Sequence, residues 1–226
     1  MSNDLGQLEL ADIYSKRFDR QERQRQILWS TLCGSYFQKL IPKHSAVLDL
    51  AAGYCEFINN IDCNKKYAVD LNPSLQHKAN NDVKFIISPS TSLPKKLHNQ
   101  IDVVFVSNFF EHLDNKKQFL DTLKEIKKVL KLGGKLIILQ PNLKLVKGAY
   151  WDFFDHSLPI TEKSLQEALT LAGYKIQSMK CRFLPYTTSS RLPISSLLIK
   201  FYLSMPPAQW ILGKQTLVVA SPDIIE

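Results

Sequence analysis

The chain has 226 residues, 45% of them hydrophobic, enough to bury one α/β core with additions, and no run approaches the roughly 20 apolar residues of a membrane-spanning helix. Four cysteines (Cys33, Cys55, Cys63, Cys181) show no paired spacing, which argues against a disulfide framework or a zinc site. The opening MSNDLGQLEL lacks the basic start and apolar run of an export signal, so a reducing cytoplasm is the expected setting. The formal charge of +8 invites nucleic acid as a partner. In DNKKQFLDTLKEIKKVLK, however, the lysines stand opposite a helical stripe of Phe119, Leu120, Leu123, Ile126, Val129 and Leu130. A solvated helix face accounts for them, and no nucleic-acid partner is expected.

Residues 1–42 read as an N-terminal helical extension. Asp19-Arg20-Gln21-Glu22 has the form of a capping box. Ile27, Leu28, Leu32, Tyr36, Phe37, Leu40 and Ile41 then recur every three or four residues, predicting one amphipathic helix as far as Pro42. From there strands and helices alternate. Ala46–Leu50 is a short apolar strand, followed by a glycine turn and a helix through Ile61. A second strand at 66–69 ends at Asp70, and Asn72-Pro73-Ser74 starts a short helix. Val83–Ile87 is a third strand, and the uninterrupted IDVVFV at 101–106 reads as fully buried. The lysine-rich helix is expected to stop at Gly133-Gly134 with a left-handed cap, ahead of a fifth strand at 135–139. A helix over 161–171, capped by Thr161 and followed by Gly173, precedes strands at 175–183 and 215–220. With no full helical crossover between them, those two strands should pair antiparallel. The alternation predicts a parallel sheet with helices on both faces.

In such sheets a ligand sits beyond the carboxyl ends of the strands, where the strand order reverses. Asp49 opens the turn AAGYCEF, and Asp70 closes YAVD roughly 20 residues further on, at the spacing of a ribose-binding acid. A dinucleotide fingerprint of the GxGxxG form does not fit, because Ala51-Ala52-Gly53-Tyr54-Cys55-Glu56 lacks the third small residue. The turn resembles instead the DxGxGxG motif of class I S-adenosylmethionine-dependent methyltransferases. VSNFFEHL at 106–113 resembles that family's fourth-strand motif, and LKEIKKVLKLGGKLIILQPN at 123–142 its approach to the fifth strand. The resemblance spans about 46–220 and implies a Rossmann-like, seven-stranded, mostly parallel sheet with an antiparallel last strand. The methyltransferase domain would then occupy 43–226, behind an N-terminal lid.

Carried over by position, the resemblance places Asp49 and the turn of Ala51, Gly53, Tyr54 and Cys55 along the methionine part of S-adenosylmethionine. It puts Asp70 on the ribose hydroxyls, Leu71 on the adenine, and Asn108 beside the amino acid moiety or the methyl. Without it, each residue has a plainer role: Asp49 a helix cap, Asp70 a turn residue, Asn108 a loop hydrogen-bonder. The chain also departs from the pattern. Relatives usually carry glycine at Ala51 and Cys55; the alanine is tolerable if φ stays negative, whereas a left-handed cysteine costs on the order of 1 kcal/mol or more. SPSTSLP at 88–94 lacks the adenine-reading acid of many relatives, leaving backbone and hydroxyls for that task. Weaker cofactor affinity is therefore expected.

After the fifth strand, KGAYWDFFDHSLPIT concentrates aromatic and ionisable groups over the expected cofactor position. His156 is the candidate general base, assisted by Asp152 or Asp155, with His112 of FEHL as the other candidate. Some relatives that modify RNA ends bind a metal through a similar Glu-His pair, but no remaining ligand set stands out here, and no metal is expected. Tyr14 and Arg17 are candidates for a lid over the site. The insertion at 184–213 carries a short helix at 195–203 that is apolar nearly all round. It is suited to core packing, to a homodimer through 194–212, or to peripheral contact with the inner membrane surface, helped by Arg182, Arg191, Lys200 and Lys214. WDFFDH, followed later by RFLPYTTSSRLP and GKQTLVVA, more loosely resembles methyltransferases of bacterial surface-polysaccharide assembly, which implies a saccharide or small-molecule acceptor, free or lipid-linked, methylated at a hydroxyl oxygen. The alternatives are a non-catalytic binding module that kept the fold, and an RNA methyltransferase.

Overall fold

The computed structural model describes residues 22–186 and 194–223. Asp19, Tyr14, Arg17 and Arg191 lie outside these, so the N-terminal capping box and the lid residues stand as sequence expectations.

The amphipathic run at the start forms α1, Glu22–Ser35, followed by a 3-10 turn at Phe37–Lys39. The helix thus stops short of Pro42. Then come β1 (Ala46–Leu50), α2 (Glu56–Asn60), β2 (Lys65–Asp70), a 3-10 segment at Pro73–Lys78, β3 (Val83–Ile87) and β4 (Ile101–Ser107). The helix α3 (Lys116–Val129) is capped by Asn115, whose side chain accepts from the Gln118 N–H. Its Lys116, Lys117, Lys124 and Lys128 are exposed while Phe119, Leu123, Ile126 and Val129 are buried, the division that the periodicity predicts.

One boundary differs. The helix ends at Val129, before the two glycines, and β5 runs Leu130–Pro141 through them. Gly133 holds φ +76°, and a Cβ on Gly134 would come within 2.9 Å of the Lys131 carbonyl oxygen. The glycines therefore serve an irregularity where β5 changes register against β4, between Ile101 and Val103. Two short segments, α4 (Leu143–Val146) and a 3-10 turn (Lys147–Asp152), lead to α5 (Glu162–Leu171). Its N-terminus is closed by a reciprocal Thr161–Ser164 capping box. β6 (Tyr174–Leu184), α6 (Ser196–Ser204), α7 (Pro206–Leu212) and β7 (Gln215–Pro222) complete the described chain. The helix expected at 195–203 is present as α6, and α7 follows it as a second helix that the sequence did not announce.

All seven strands form one sheet, in the order β3-β2-β1-β4-β5-β7-β6. The first five pair in parallel, while β7 runs antiparallel to both β5 and β6, as the missing crossover predicts. Successive residues of a strand face opposite sides, and two hydrophobic cores follow from that. Val104, Val106, Leu136 and Ile138 pack under α3 and α5, whereas Val103, Phe105, Ile137 and Leu139 pack under α1 and α2. The strand order reverses between β1 and β4. The carboxyl ends of β1, β2, β4 and β5 together form the rim on which the candidate site stands.

Candidate active site

The turn after β1 is left-handed at three alternate positions: Ala51 (φ +56°), Gly53 (φ +50°) and Cys55 (φ +58°). Only glycine takes this conformation without cost, so Ala51 is strained as well as Cys55, the condition of a negative φ not being met. The turn is held by hydrogen bonds from Ala52 N–H to the Val69 carbonyl (3.1 Å) and from Cys55 N–H to the Ala52 carbonyl (2.8 Å). The Cys55 side chain is fully buried within the core formed with Phe57, Ile58 and Ala68, beneath the turn. Burial, reinforced by Asp49, Asp70 and Glu56, pushes its thiol up, so it stays protonated and inert.

Asp70 ends β2 half-buried. Its carboxylate accepts from Gly53 N–H (2.8 Å) and Asn72 N–H (2.9 Å), which ties the turn to the next strand. Beside it Leu71 is 62% exposed, and Ile87, at the end of the neighbouring β3, is 55% exposed. Two apolar side chains left bare next to a carboxylate suit the adenine and ribose of a nucleoside. Two of the hydroxyls expected to read the adenine are engaged elsewhere: Ser88 donates to the Ser92 carbonyl (2.7 Å), and Ser90 bonds Thr122 (2.8 Å).

Two other expected cofactor residues act as supports. Asp49 is 4% exposed and receives the Ile58 N–H of α2. Burial pushes its carboxyl well above the usual carboxylate range, and Asp70 and Glu56 add to the shift against that hydrogen bond. This is the helix-anchoring role. The Tyr54 ring is buried, with Arg25 5.1 Å and Lys78 5.0 Å from its centroid. Arg25 also pairs with Glu56, and Lys78 with Glu22 (3.1 Å), so the turn and α1 are clamped together. Arg25 and Lys78 carried no sequence signal for this. Asn108 stands exposed just past β4 with φ +49°, its N–H donated to the Leu139 carbonyl (2.9 Å).

On the same rim, the 3-10 turn Phe110–His112 meets the segment after β5. The Glu111 carbonyl accepts from both Ser157 (2.8 Å) and Leu158 (3.0 Å) N–H groups, stapling that segment to the turn. Tyr150 donates to the Leu158 carbonyl (2.7 Å) beneath it. His156 is 8% exposed, with its ring 5.0 Å from that of His112 and within about 5 Å of Tyr150 and Phe153. Glu111 is 1% exposed and accepts from Gln140 (2.8 Å). Burial pushes its carboxyl up, against the pull of His112 and Gln140.

The carboxylate partnership differs from expectation. Asp155 lies 3.3 Å from His112 Nδ1, whereas Asp152 is exposed and makes no hydrogen bond or ion pair among the described residues. His156 is accordingly not oriented by Asp152. Glu111, His112 and His156 present ligand-capable atoms all within 4.8 Å of one another. The expectation that no further ligand set accompanies the Glu-His pair does not hold.

Residues 48–138, which hold the turn, Asp70 and the Glu-His pair, match the family model described as a methyltransferase domain. No curated protein matches the chain. Among solved structures, a Thermotoga maritima S-adenosylmethionine-dependent methyltransferase is similar at 15% identity and TM-score 0.68, covering 92% of this chain and 95% of that one. An Archaeoglobus fulgidus S-adenosylmethionine-dependent methyltransferase is similar at 17% identity and TM-score 0.60, over 93% and 98%. A third, from Methanosarcina mazei, reaches 15% identity and TM-score 0.60, over 83% and 97%. The fold is that of S-adenosylmethionine-dependent methyltransferases.

Proposed function

We propose that the chain transfers a methyl group from S-adenosylmethionine to a hydroxyl oxygen of a small-molecule or saccharide acceptor. The observation that carries the reading is the left-handed turn braced on Asp70, with bare apolar residues beside it, at the point where the sheet order reverses. The residues present fit the cofactor. Cys55 sends its side chain into the core, leaving backbone to face the crevice, and Asp70, Leu71 and Ile87 supply an acid and two apolar faces for the adenosyl group. When bound, S-adenosylmethionine supplies a methyl already activated by its sulfonium.

What remains for the chain is to hold an acceptor, exclude water and take a proton. The imidazoles of His112 and His156 stand on the same rim, one braced by Asp155 and the other walled by Tyr150 and Phe153. Either can receive the proton of an acceptor hydroxyl. This supports oxygen as the methylated atom and favours the two histidines as the groups that take the proton, with no part for Asp152 in orienting them.

The outer faces of α6 and α7 extend the reading to a lipid-linked acceptor at the cytoplasmic membrane surface. Ile199, Tyr202 and Leu203 pack inward, while Leu197 (80%), Phe201 (62%), Trp210 (71%) and Ile211 (66%) are exposed, with Lys200 and Lys214 beside them. No helix among the described residues is long and apolar enough to cross a membrane.

Titration with S-adenosylhomocysteine tests the reading: micromolar binding is expected, and no binding by the unaltered chain overturns it in favour of a module without cofactor. Incorporation of tritiated methyl into fractionated cell extract then separates lipid, saccharide and RNA acceptors. Label in RNA alone, with steeply salt-dependent binding, sinks the saccharide assignment.

A further inference from the structure

We propose that Glu111, His112 and His156 form a binding site for a divalent transition-metal ion. Each has one donor atom turned to a common point and the other engaged or enclosed. Glu111 Oε2 accepts from Gln140, leaving Oε1 4.0 Å from His112 Nε2. His112 Nδ1 is held by the Asp155 carbonyl (3.1 Å) and carboxylate (3.3 Å), which fixes the ring with Nε2 facing inward. The His156 ring stands edge-on to that of His112, at 78°. A hydrogen bond to the rear nitrogen of each metal-binding imidazole and to the ligating carboxylate is the outer shell that metal sites require, and for His112 and Glu111 it is already built.

Spacing and burial agree with this assignment. The three donors lie within 4.8 Å of one another. Bonds of about 2.1 Å set donors roughly 3.4 Å apart around a tetrahedral ion, so side-chain shifts of about 1 Å close the site. Glu111 is almost wholly buried, with no lysine or arginine against it among the described residues, and a carboxylate sunk between two imidazoles is stabilised by a cation between them. Two imidazoles and one carboxylate favour zinc, cobalt or ferrous iron over magnesium or calcium, which take oxygen ligands. His112 is partly exposed, so the ion keeps an open position toward the rim.

The use of that open position rests on the methyltransferase reading; the binding does not. A metal held by Glu111, His112 and His156 would acidify an acceptor hydroxyl bound to it, so that the proton would pass to water, and it would take over the activating role from the two imidazoles.

The test uses cobalt(II), titrated into the full chain without S-adenosylmethionine and followed by its visible spectrum. One equivalent is expected to bind, with d–d bands and no thiolate charge-transfer band, which separates this site from Cys63 and Cys181. Affinity should fall by about tenfold or more in Glu111→Gln and His156→Ala, and stay unchanged in His77→Ala. His112→Gln, at a partly exposed position, should weaken binding as well and serves if the buried variants lose their fold. No binding by the unaltered chain, a thiolate spectrum, or affinity unmoved in all three variants overturns the site. S-adenosylhomocysteine titrated in the presence of a chelator reports on the cofactor crevice alone, so the two claims fail separately.

Discussion

The turn after β1 is made of backbone, and the cluster at His156 is made of side chains. The first occupies five consecutive residues, its left-handed angles at Ala51, Gly53 and Cys55 set locally and braced by one carboxylate from the next strand. The second draws Glu111 and His112 from one connection, His156 from another and Gln140 from β5, and holds them through carbonyls stapled across the rim. A site built of backbone tolerates side-chain change wherever the side chain turns away, which is how Cys55 occupies a glycine position. The cluster has no such freedom, because each of its atoms is a particular side chain's.

Three substitutions press on that contrast. Asp70→Ala removes the carboxylate proposed for the ribose and the brace on Gly53 together. Two hydrogen bonds to a charged group are worth about 3 kcal/mol, so S-adenosylhomocysteine affinity should fall by about 100-fold by calorimetry while cobalt binding holds. A parallel loss of cobalt binding would show the two regions to be one cooperative unit. Asp49→Asn is the next largest. The folded carboxyl of Asp49 titrates above its unfolded range, so its contribution is fully present below the unfolded value, near pH 4, and is lost as pH rises through the folded one. Melting temperatures of the unaltered chain should therefore decline relative to Asp49→Asn across pH 4 to 8, the amide still accepting the Ile58 N–H; parallel curves would refute the buried acid. Ala51→Gly gives the smallest effect. Releasing a left-handed alanine gains about 1–2 kcal/mol, offset by about 0.5–1 kcal/mol for a freer unfolded chain, so the melting temperature should rise by about 2 °C. A fall would mean that the alanine methyl packs better than the angle suggests.

The same contrast explains what could be read from the sequence. Strand positions, the antiparallel finish, the Thr161 cap and the spacing from Asp49 to Asp70 all follow from local periodicity and turn chemistry, and the structure keeps them. Where side chains decide, local pattern is not enough. The glycine pair looked like a helix stop but serves a change of register set by β4. Asp49 faces α2, because alternate residues of β1 face opposite sides of the sheet, and the turn motif alone does not show that anchoring contact. Asp152 and Asp155 were equally plausible partners for an imidazole, and only the fold of the segment before His156 turns one of them onto His112. Nothing local marks Gln140, nor the convergence of two histidines more than forty residues apart.

The place of β7 between β5 and β6 sets an order of assembly on the ribosome. The five parallel strands can join as they emerge, each beside a neighbour already made. β6 cannot: until residues 215–222 have been synthesised it has no partner, and the open edge of β5 carries a row of unpaired amides and carbonyls. Nascent chains halted just short of that last strand would hold a nearly finished sheet with an adhesive margin, the stage at which a chaperone has most to shield.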